Sequence, residues 1–379
     1  MLHILIFQKS SIGAEVMKNE PSKGKGAQRY LTFLGFFILT VIFYVNVKSG
    51  NNFIRVENPS PFRTQTFNIA IISKGVVINP QKVVHSICPT FHGRIGNKLF
   101  IYASSYGIAR SKGMEVVINT NCELLKYFTL YADVRKDTSI CDSRNIKTLK
   151  EEHSAVYDKR ILDFNNTQNV RLLQYLQSYL YFDQYKEELR DQFTFSDKMI
   201  KKATLILDNK LKGYNIHRNS TYHKNHKYKY MKAYINETTP KKITLIGVHI
   251  RRGDWTKHPD AGYNVPTKEY LRKAVEWYQS RMENLVFVVA SNGMEWAKEN
   301  MPKNITTVFL EGNSAWLDLA TVTLCEHFIS SSGTFSWWAA WLTGGNVTFF
   351  KWPAKEGTRF RTAFSKDYKD YYYSHWIGL

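Results

Sequence analysis

The stretch "ITLIGVHIRRGDW", residues 243–255, decides how the second half of the chain folds. Eight residues, apolar or β-branched apart from Gly247 and His249, run on and then give way to Arg251, Arg252, Gly253 and Asp254. An apolar run of this length reads as a strand buried on both faces, the type found in parallel sheets. Four similar runs follow: "LVFVVA" (285–290), "ITTVFL" (305–310), "HFISSS" (327–332) and "NVTFF" (346–350). Helical patterns separate them. Leu271, Ala274, Val275, Tyr278 and Met282 recur at helical spacing behind "PTKE", "MEWAKEN" ends before Pro302, and "AWLDLATVTLCE" and "TFSWWAAWL" complete the alternation. Strand and helix alternating over about 110 residues predict a parallel sheet with helices on both faces.

Upstream, "RIGNKLFIYASSYGIARSKGMEVVIN" (94–119) reads as a glycine turn, a helix with Leu99, Ala103 and Tyr106 on one stripe, and a strand. That is the start of a second α/β domain. Residues 150–240 are expected to be mostly helical and basic. Residues 48–82, with Pro59, Pro61 and Pro80 among polar residues, read as a spacer. The globular part is expected from about residue 83, without internal repeats.

Length and composition admit two domains: 379 residues, 44% of them hydrophobic. "YLTFLGFFILTVIFYVNV" (30–47) carries no charge and is just long enough to span a bilayer as a helix. It follows 29 mostly polar residues and has no cleavage pattern behind it, so an uncleaved anchor is expected rather than a signal peptide. Lys9, Lys18, Lys23, Lys25 and Arg29 precede it against Glu15 and Glu20, which keeps residues 1–29 cytosolic and places the rest on the luminal side. Sequons at Asn165, Asn219, Asn236 and Asn304 agree with that address; Asn346 is set aside as part of a buried strand. The four cysteines lack metal-ligand spacing. Cys122 with Cys141 is the pair expected to close, and Cys325 is expected as a buried thiol. The formal charge of +20 is densest over 198–232, which reads as a solvated face, an attraction for anionic glycans or lipids, or a means of steering a phosphorylated substrate, and a luminal domain makes nucleic acid an unsuitable partner.

In open parallel sheets, ligands bind where strands end and helix N-termini offer free N–H groups. His249 to Asp254, Ser291-Asn292-Gly293, and Ser330 to Ser336 all fall at such ends, and Gly93 to Asn97 open the first helix. Paired arginines, a serine-rich helix start and a glycine turn suit a diphosphate. Arg252-Gly253-Asp254 also spells an adhesive tripeptide, but such a tripeptide requires an exposed flexible tip, and this one directly follows an apolar strand.

"GRIGNKLFIYASSYGIA", "GVHIRRGDW", "FVVASNGMEWAKENM" and "LDLATVTLCEHFISSSGTFSWWAAWLTGG" together resemble the α-1,2-fucosyltransferases, over about residues 88–352. The resemblance implies a GT-B-like fold of two Rossmann-like domains facing across a cleft, here 83–240 on the acceptor side and 241–360 on the nucleotide side, with 361–379 as an aromatic tail. It implies GDP-β-L-fucose as donor, a glycan acceptor with O-2 of galactose as the default, inversion, no required cofactor or metal, and a single-pass type II protein of the Golgi membrane; a homodimer stays open. Arg251 then matches the arginine on the donor phosphates, with Arg252 in support and His249 against the nucleotide. Asp318 matches an acid that reads guanine. Ser332, Gly333, Thr334, Phe335 and Ser336 match the loop around nucleotide and phosphate, and Gly96 and Asn97 the turn facing it from the other domain. Asp254 is the nearest carboxylate for a general base, although orienting Arg251 is the role favoured for it. The chain lacks an Asp-x-Asp pair, which leaves side chains and backbone dipoles to meet the diphosphate charge.

Overall fold

The computed structural model describes residues 44–46, 55–57, 84–143, 146–218, 234–236 and 241–379. Tyr44–Asn46 and Arg55–Glu57 pair antiparallel. Residues 44–46 are thus strand rather than the end of the expected helix, and the rest of the expected membrane span, the remainder of the spacer and Asn219 lie outside the described residues. Among the described residues no helix is long and apolar enough to cross a membrane.

Two parallel sheets organise residues 83–379, which form one compact unit. The first contains β1 (Ser86–Pro89), β2 (Glu115–Asn119), β3 (Asp133–Arg135), β4 (Lys147–Lys150) and β5 (Val170–Leu173), in the order β3-β2-β1-β5-β4. All four pairings are parallel. Helix α1 (Ile95–Lys112) crosses between β1 and β2 and ends at Gly113, whose φ of 63° is the left-handed cap that glycine adopts freely. The stripe Leu99–Ala103–Tyr106 is buried, but so is nearly every residue from Leu99 to Ala109. A helix apolar all round belongs inside a core.

The segment 150–240 differs from its expectation. Among the described residues there, the α-helices are α2 (Lys186–Gln192) and α3 (Asp197–Lys212), preceded by short 3-10 turns. The strands β6 (Ile216–Arg218) and β7 (Tyr234–Asn236) are antiparallel partners, and β7 runs antiparallel to the start of β8 (Lys242–Ile250). Instead of helix, the short segments 216–218 and 234–236, which bury Ile216 and Tyr234, pair and extend the second sheet. Helix α3 buries Ile200, Ala203, Leu207 and Leu211 and leaves Lys198, Lys201, Lys202, Lys210 and Lys212 outside the core, so the described part of the basic run is a solvated face.

The second sheet carries the expected alternation: β8, α4 (Gly253–Thr256), α5 (Lys268–Gln279), β9 (Leu285–Ser291), α6 (Met294–Asn300), β10 (Thr306–Phe309), α7 (Ala315–Val322), β11 (His327–Ser330), α8 (Thr334–Thr343) and β12 (Val347–Phe349). Its order is β10-β9-β8-β11-β12-β13, where β13 (Ile377–Gly378) comes from the C-terminus and pairs parallel with β12. Residues 361–379 are therefore not an appended tail. Tyr368, Tyr371, Tyr372, Tyr373 and Trp376 are buried, and Trp337 Nε1 donates to the Tyr371 carbonyl.

Two further expectations change. The disulfide joins Cys88 to Cys141, leaving Cys122 free and half-buried. Cys88 closes β1 and Cys141 ends a 3-10 turn that the Arg171 guanidinium holds through the Cys141 carbonyl, so strand order rather than sequence proximity picks the pair. Cys325 is the buried thiol expected. Asn346 is exposed, one residue before β12, rather than buried.

Candidate functional site

The carboxyl ends of three neighbouring strands are held level. His249 pairs with Ala290 on one side and Ser330 on the other, so Arg251, Asn292 and Ser331 leave the sheet together. The Arg251 backbone N–H donates to Ser331 Oγ at 2.9 Å. Its guanidinium lies 5.0 Å over the Trp255 ring and donates through Nη2 to Asp254 Oδ2 at 2.8 Å. Burial disfavours its charged form and lowers its pKa, but an arginine starts so high that it stays protonated. A partly buried cation with one hydrogen-bonded carboxylate is a local source of positive potential.

Asp254 is heavily engaged. It accepts from Arg251, from Asn292 Nδ2 at 3.0 Å, and lies 3.5 Å from Arg94 Nη1. Both oxygens are committed to orienting neighbours, which leaves it poorly placed to take a proton. Arg252 points elsewhere: its guanidinium stacks 4.0 Å from the Trp296 ring and donates to the Pro266 carbonyl, while its N–H donates to Asn292 Oδ1. Arg252 anchors the turn on α6 and on the loop before α5 rather than lining the strand ends. A Cβ at Gly253 would lie 2.6 Å from Asn292 atoms. The Arg252-Gly253-Asp254 tripeptide is thus packed down residue by residue, not a flexible tip.

His249 is buried against Phe335, with ring centroids 4.5 Å apart. Burial, aided by the Arg251 charge, pushes its pKa down to about 3, so the imidazole is neutral. His249 Nδ1, Arg251 Nε and Ser332 Oγ are all buried without a hydrogen-bond partner in the chain. Buried polar atoms are nearly always paired, and three orphans at two adjacent strand ends mark a place where a ligand's acceptors belong.

The loop 330–336 is laced by Ser336, whose Oγ accepts from the Ser331 N–H and lies 3.0 Å from Ser330 Oγ. Gly333 has φ 85°, and a Cβ there would meet Arg251 Cδ at 3.1 Å. Across from it, a Cβ at Gly96 would sit 2.4 Å from the Thr334 carbonyl carbon. Thr334 Oγ1 donates to Asn97 Oδ1 at 2.8 Å, and Gln177 Nε2 donates to the same oxygen at 3.2 Å. Consequently the first turns of α1 and α8 touch. Neither N-terminus has a side-chain cap or an acidic residue in its first turn. Their unbonded N–H groups and positive dipole ends converge beside Arg251, an arrangement drawn from both sheets whose chemistry suits an anion.

Asp318 stands in the first turn of α7, where Asn313 Nδ2 donates to it at 3.0 Å and burial raises its pKa to about 6. Helix α7 is tied to the opening of α1 through Glu123, which accepts from Trp316 Nε1 and from Lys98. Sequence reading brought forward Gly96, Asn97, His249, Arg251 and the 332–336 loop, and the structure gathers these. It did not single out Arg94, Asn292, Trp255 or Gln177. Asn292 sat in a quoted strand-end cluster, whereas nothing in the local sequence at Gln177 reports that it reaches Asn97.

Comparison with known proteins bears on this arrangement. Residues 63–379 match the family described as Glycosyl transferase family 11. The chain is 26% identical over 300 residues to galactoside alpha-(1,2)-fucosyltransferase 1 of Lagothrix lagotricha, a match covering 76% of this chain and 73% of that protein. The Homo sapiens protein of the same name is 27% identical over 301 residues, with the same coverage. Two solved structures overlay more loosely: NodZ alpha-1,6-fucosyltransferase soaked with GDP-fucose, at TM-score 0.45 and 11% identity over 71% of this chain and 95% of that one, and an Arabidopsis thaliana FUT1 mutant with GDP, at TM-score 0.46 and 12% identity over 74% and 73%. Because the matched span takes in both sheets and both helix N-termini of the site, the chain belongs to glycosyl transferase family 11.

Proposed function

We propose that this protein is an inverting galactoside 2-α-L-fucosyltransferase that moves fucose from GDP-β-L-fucose to O-2 of a galactose on a glycan. The observation that carries this reading is the meeting of two uncapped helix N-termini at Gly96 and Thr334 beside the partly buried Arg251. The family and the activity named for its relatives support it. The two parallel sheets are read as the facing domains of a GT-B-like enzyme, the first on the acceptor side and the second on the nucleotide side.

In this reading the diphosphate of the donor lies on the N–H groups of the 332–336 loop and the α1 turn. Arg251 faces it with the edge that Asp254 does not use. Asp318 accepts from the guanine base, and His249, neutral and packed on Phe335, walls the nucleotide. An acceptor hydroxyl attacks the anomeric carbon as the bond to the diphosphate breaks. The growing negative charge on the leaving oxygen is met by a preorganised cation and dipoles, which need no reorganisation at that moment. No metal ion is assigned a task.

Residues 30–47 are proposed as the anchor of a type II Golgi protein, with 48–82 as stem. Asn165 and Asn304 are exposed acceptors for N-glycans, and Asn236 is partly covered in β7. The test is transfer from GDP-fucose to a panel of galactosides, with and without EDTA. The reading expects α-1,2-linked product in both conditions. Absence of transfer to every galactoside refutes the activity, and loss of transfer with EDTA refutes metal independence.

A further inference from the structure

Asp254 is committed to three donors, so the proton of the attacking hydroxyl needs another receiver. The carboxyl edge of the first sheet supplies a candidate. His92 follows β1, where its Nδ1 lies 2.9 Å from the Thr90 carbonyl oxygen. A carbonyl can only accept, so Nδ1 carries a hydrogen, and in the neutral ring Nε2 then holds the lone pair. The ring rests on Tyr175, with centroids 4.3 Å apart, and both residues are only partly buried.

The support beneath this pair is unusually firm for a loop. Tyr175 belongs to the turn after β5, in which two non-glycine residues take left-handed backbone angles, Gln174 at φ 73° and Leu176 at φ 50°. Such strain persists only where surroundings hold it, and it concentrates at functional sites. Glu151, buried at the end of β4, accepts the Tyr175 N–H at 3.0 Å and the Leu176 N–H at 2.7 Å on one oxygen. Ser104 of α1 donates to the Leu176 carbonyl, and Gln177 reaches Asn97. The same turn that seats the His92 ring is therefore bonded to the residue that touches the donor loop through Thr334. Two residues beyond His92, Arg94 approaches Asp254, which places the loop against the Arg251 end of the site.

We infer that His92 is the catalytic base: its Nε2 takes the proton of the acceptor sugar's hydroxyl, with Glu151 as a positioning residue that holds the Tyr175 turn beneath it. The inference rests on the fucosyltransferase reading above. As the hydroxyl oxygen bonds to the anomeric carbon, its proton passes to His92 Nε2 and the electron pair of the broken carbon–oxygen bond leaves with GDP. The imidazolium then returns the proton to solvent. The charged and titratable neighbours of this step are Tyr175 on the β5 turn, Glu151 behind it, Arg94 on the same loop, and Asp254 with Arg251 across from Arg94.

The test compares the wild type with His92→Phe, which keeps a ring on Tyr175 and removes the base. General bases contribute roughly 10²–10⁴-fold, so a fall of about that size in kcat is expected, with GDP affinity by calorimetry unchanged and the acid-side limb of the kcat pH profile, taken at saturating GDP-fucose and galactoside, lost. A kcat within about threefold of wild type, or an acid limb retained in kcat at saturation, overturns the assignment. If His92→Phe loses GDP binding, His92→Gln, which can still donate to the Thr90 carbonyl, is held to the same two criteria. A wild type that transfers nothing to any galactoside defeats the activity reading instead, whereas an active wild type matched by its variant defeats the His92 role alone.

Discussion

Burial sets the charge state of the groups at the strand ends, and the signs differ from residue to residue. Asp318 is pushed up to about 6 by burial, so it is ionised at pH 7 and loses its negative charge as the pH falls below that value. If it accepts from guanine, GDP affinity is constant above about pH 7 and weakens below pH 6; Asp318→Asn should remove that dependence and cost affinity at every pH. Calorimetric titration with GDP at pH 5.5 and 7.5 reads both. Glu151 is raised by burial to about 8, so between its unfolded value and that point the folded protein holds a proton the unfolded chain has released. Its contribution is full below about pH 4.5, is lost as pH rises through 8, and is independent of pH in Glu151→Gln. Melting temperatures at pH 6 and 8.5 should therefore fall less across this interval in the variant than in the wild type. The two adjacent arginines should also separate: Arg252→Ala removes a stack on Trp296 and is expected to lower stability more than it raises the donor KM.

At the scale of elements, the account depends on α1 and α8 touching. Gly96→Ala places a carbon 2.4 Å from the backbone of Thr334, so the helices must part and the Asn97–Thr334 bond must lengthen. GDP affinity is expected to fall at least tenfold while the melting temperature changes modestly; unchanged affinity would show that the two N-termini do not share a ligand. The second sheet was legible because its strands are mostly apolar runs and α5 carries a 3.6-residue stripe with a start signal at Thr267, which caps Tyr270. Arg251, the serine loop and the Gly-Asn turn were legible for the same reason, since strand ends and helix starts locate them. Residues 150–240 were not, because short strands and 3-10 turns bury residues through tertiary contacts that leave no period. Gln177, and His92 further upstream, were hidden for a related reason: the contacts they make exist only through the register of β1, β5 and β4.

Across the whole molecule, the C-terminal segment joins what the sequence reading had divided. It adds β13 to the second sheet, packs Tyr371 on Phe100 of α1, and anchors Ser178 and Tyr157 of the first half through Asp370. Trp337, fully buried at the centre of this aromatic cluster, touches Phe100, Phe182, Tyr371, Tyr373 and Trp376. Trp337→Ala is expected to cost about 3–5 kcal/mol of stability, read by denaturant unfolding. The Cys88–Cys141 bond closes a 53-residue separation around the first sheet, and its loss through Cys141→Ser is expected to cost about 2–4 kcal/mol. In the proposed reaction Arg251 and the two helix ends meet the charge of the departing diphosphate. Turnover of Arg251→Ala at saturating GDP-fucose and galactoside tests it most directly: a loss of at least a hundredfold, about 2.7 kcal/mol of transition-state stabilisation, is the predicted result, and near-normal turnover in a folded, GDP-binding variant contradicts it.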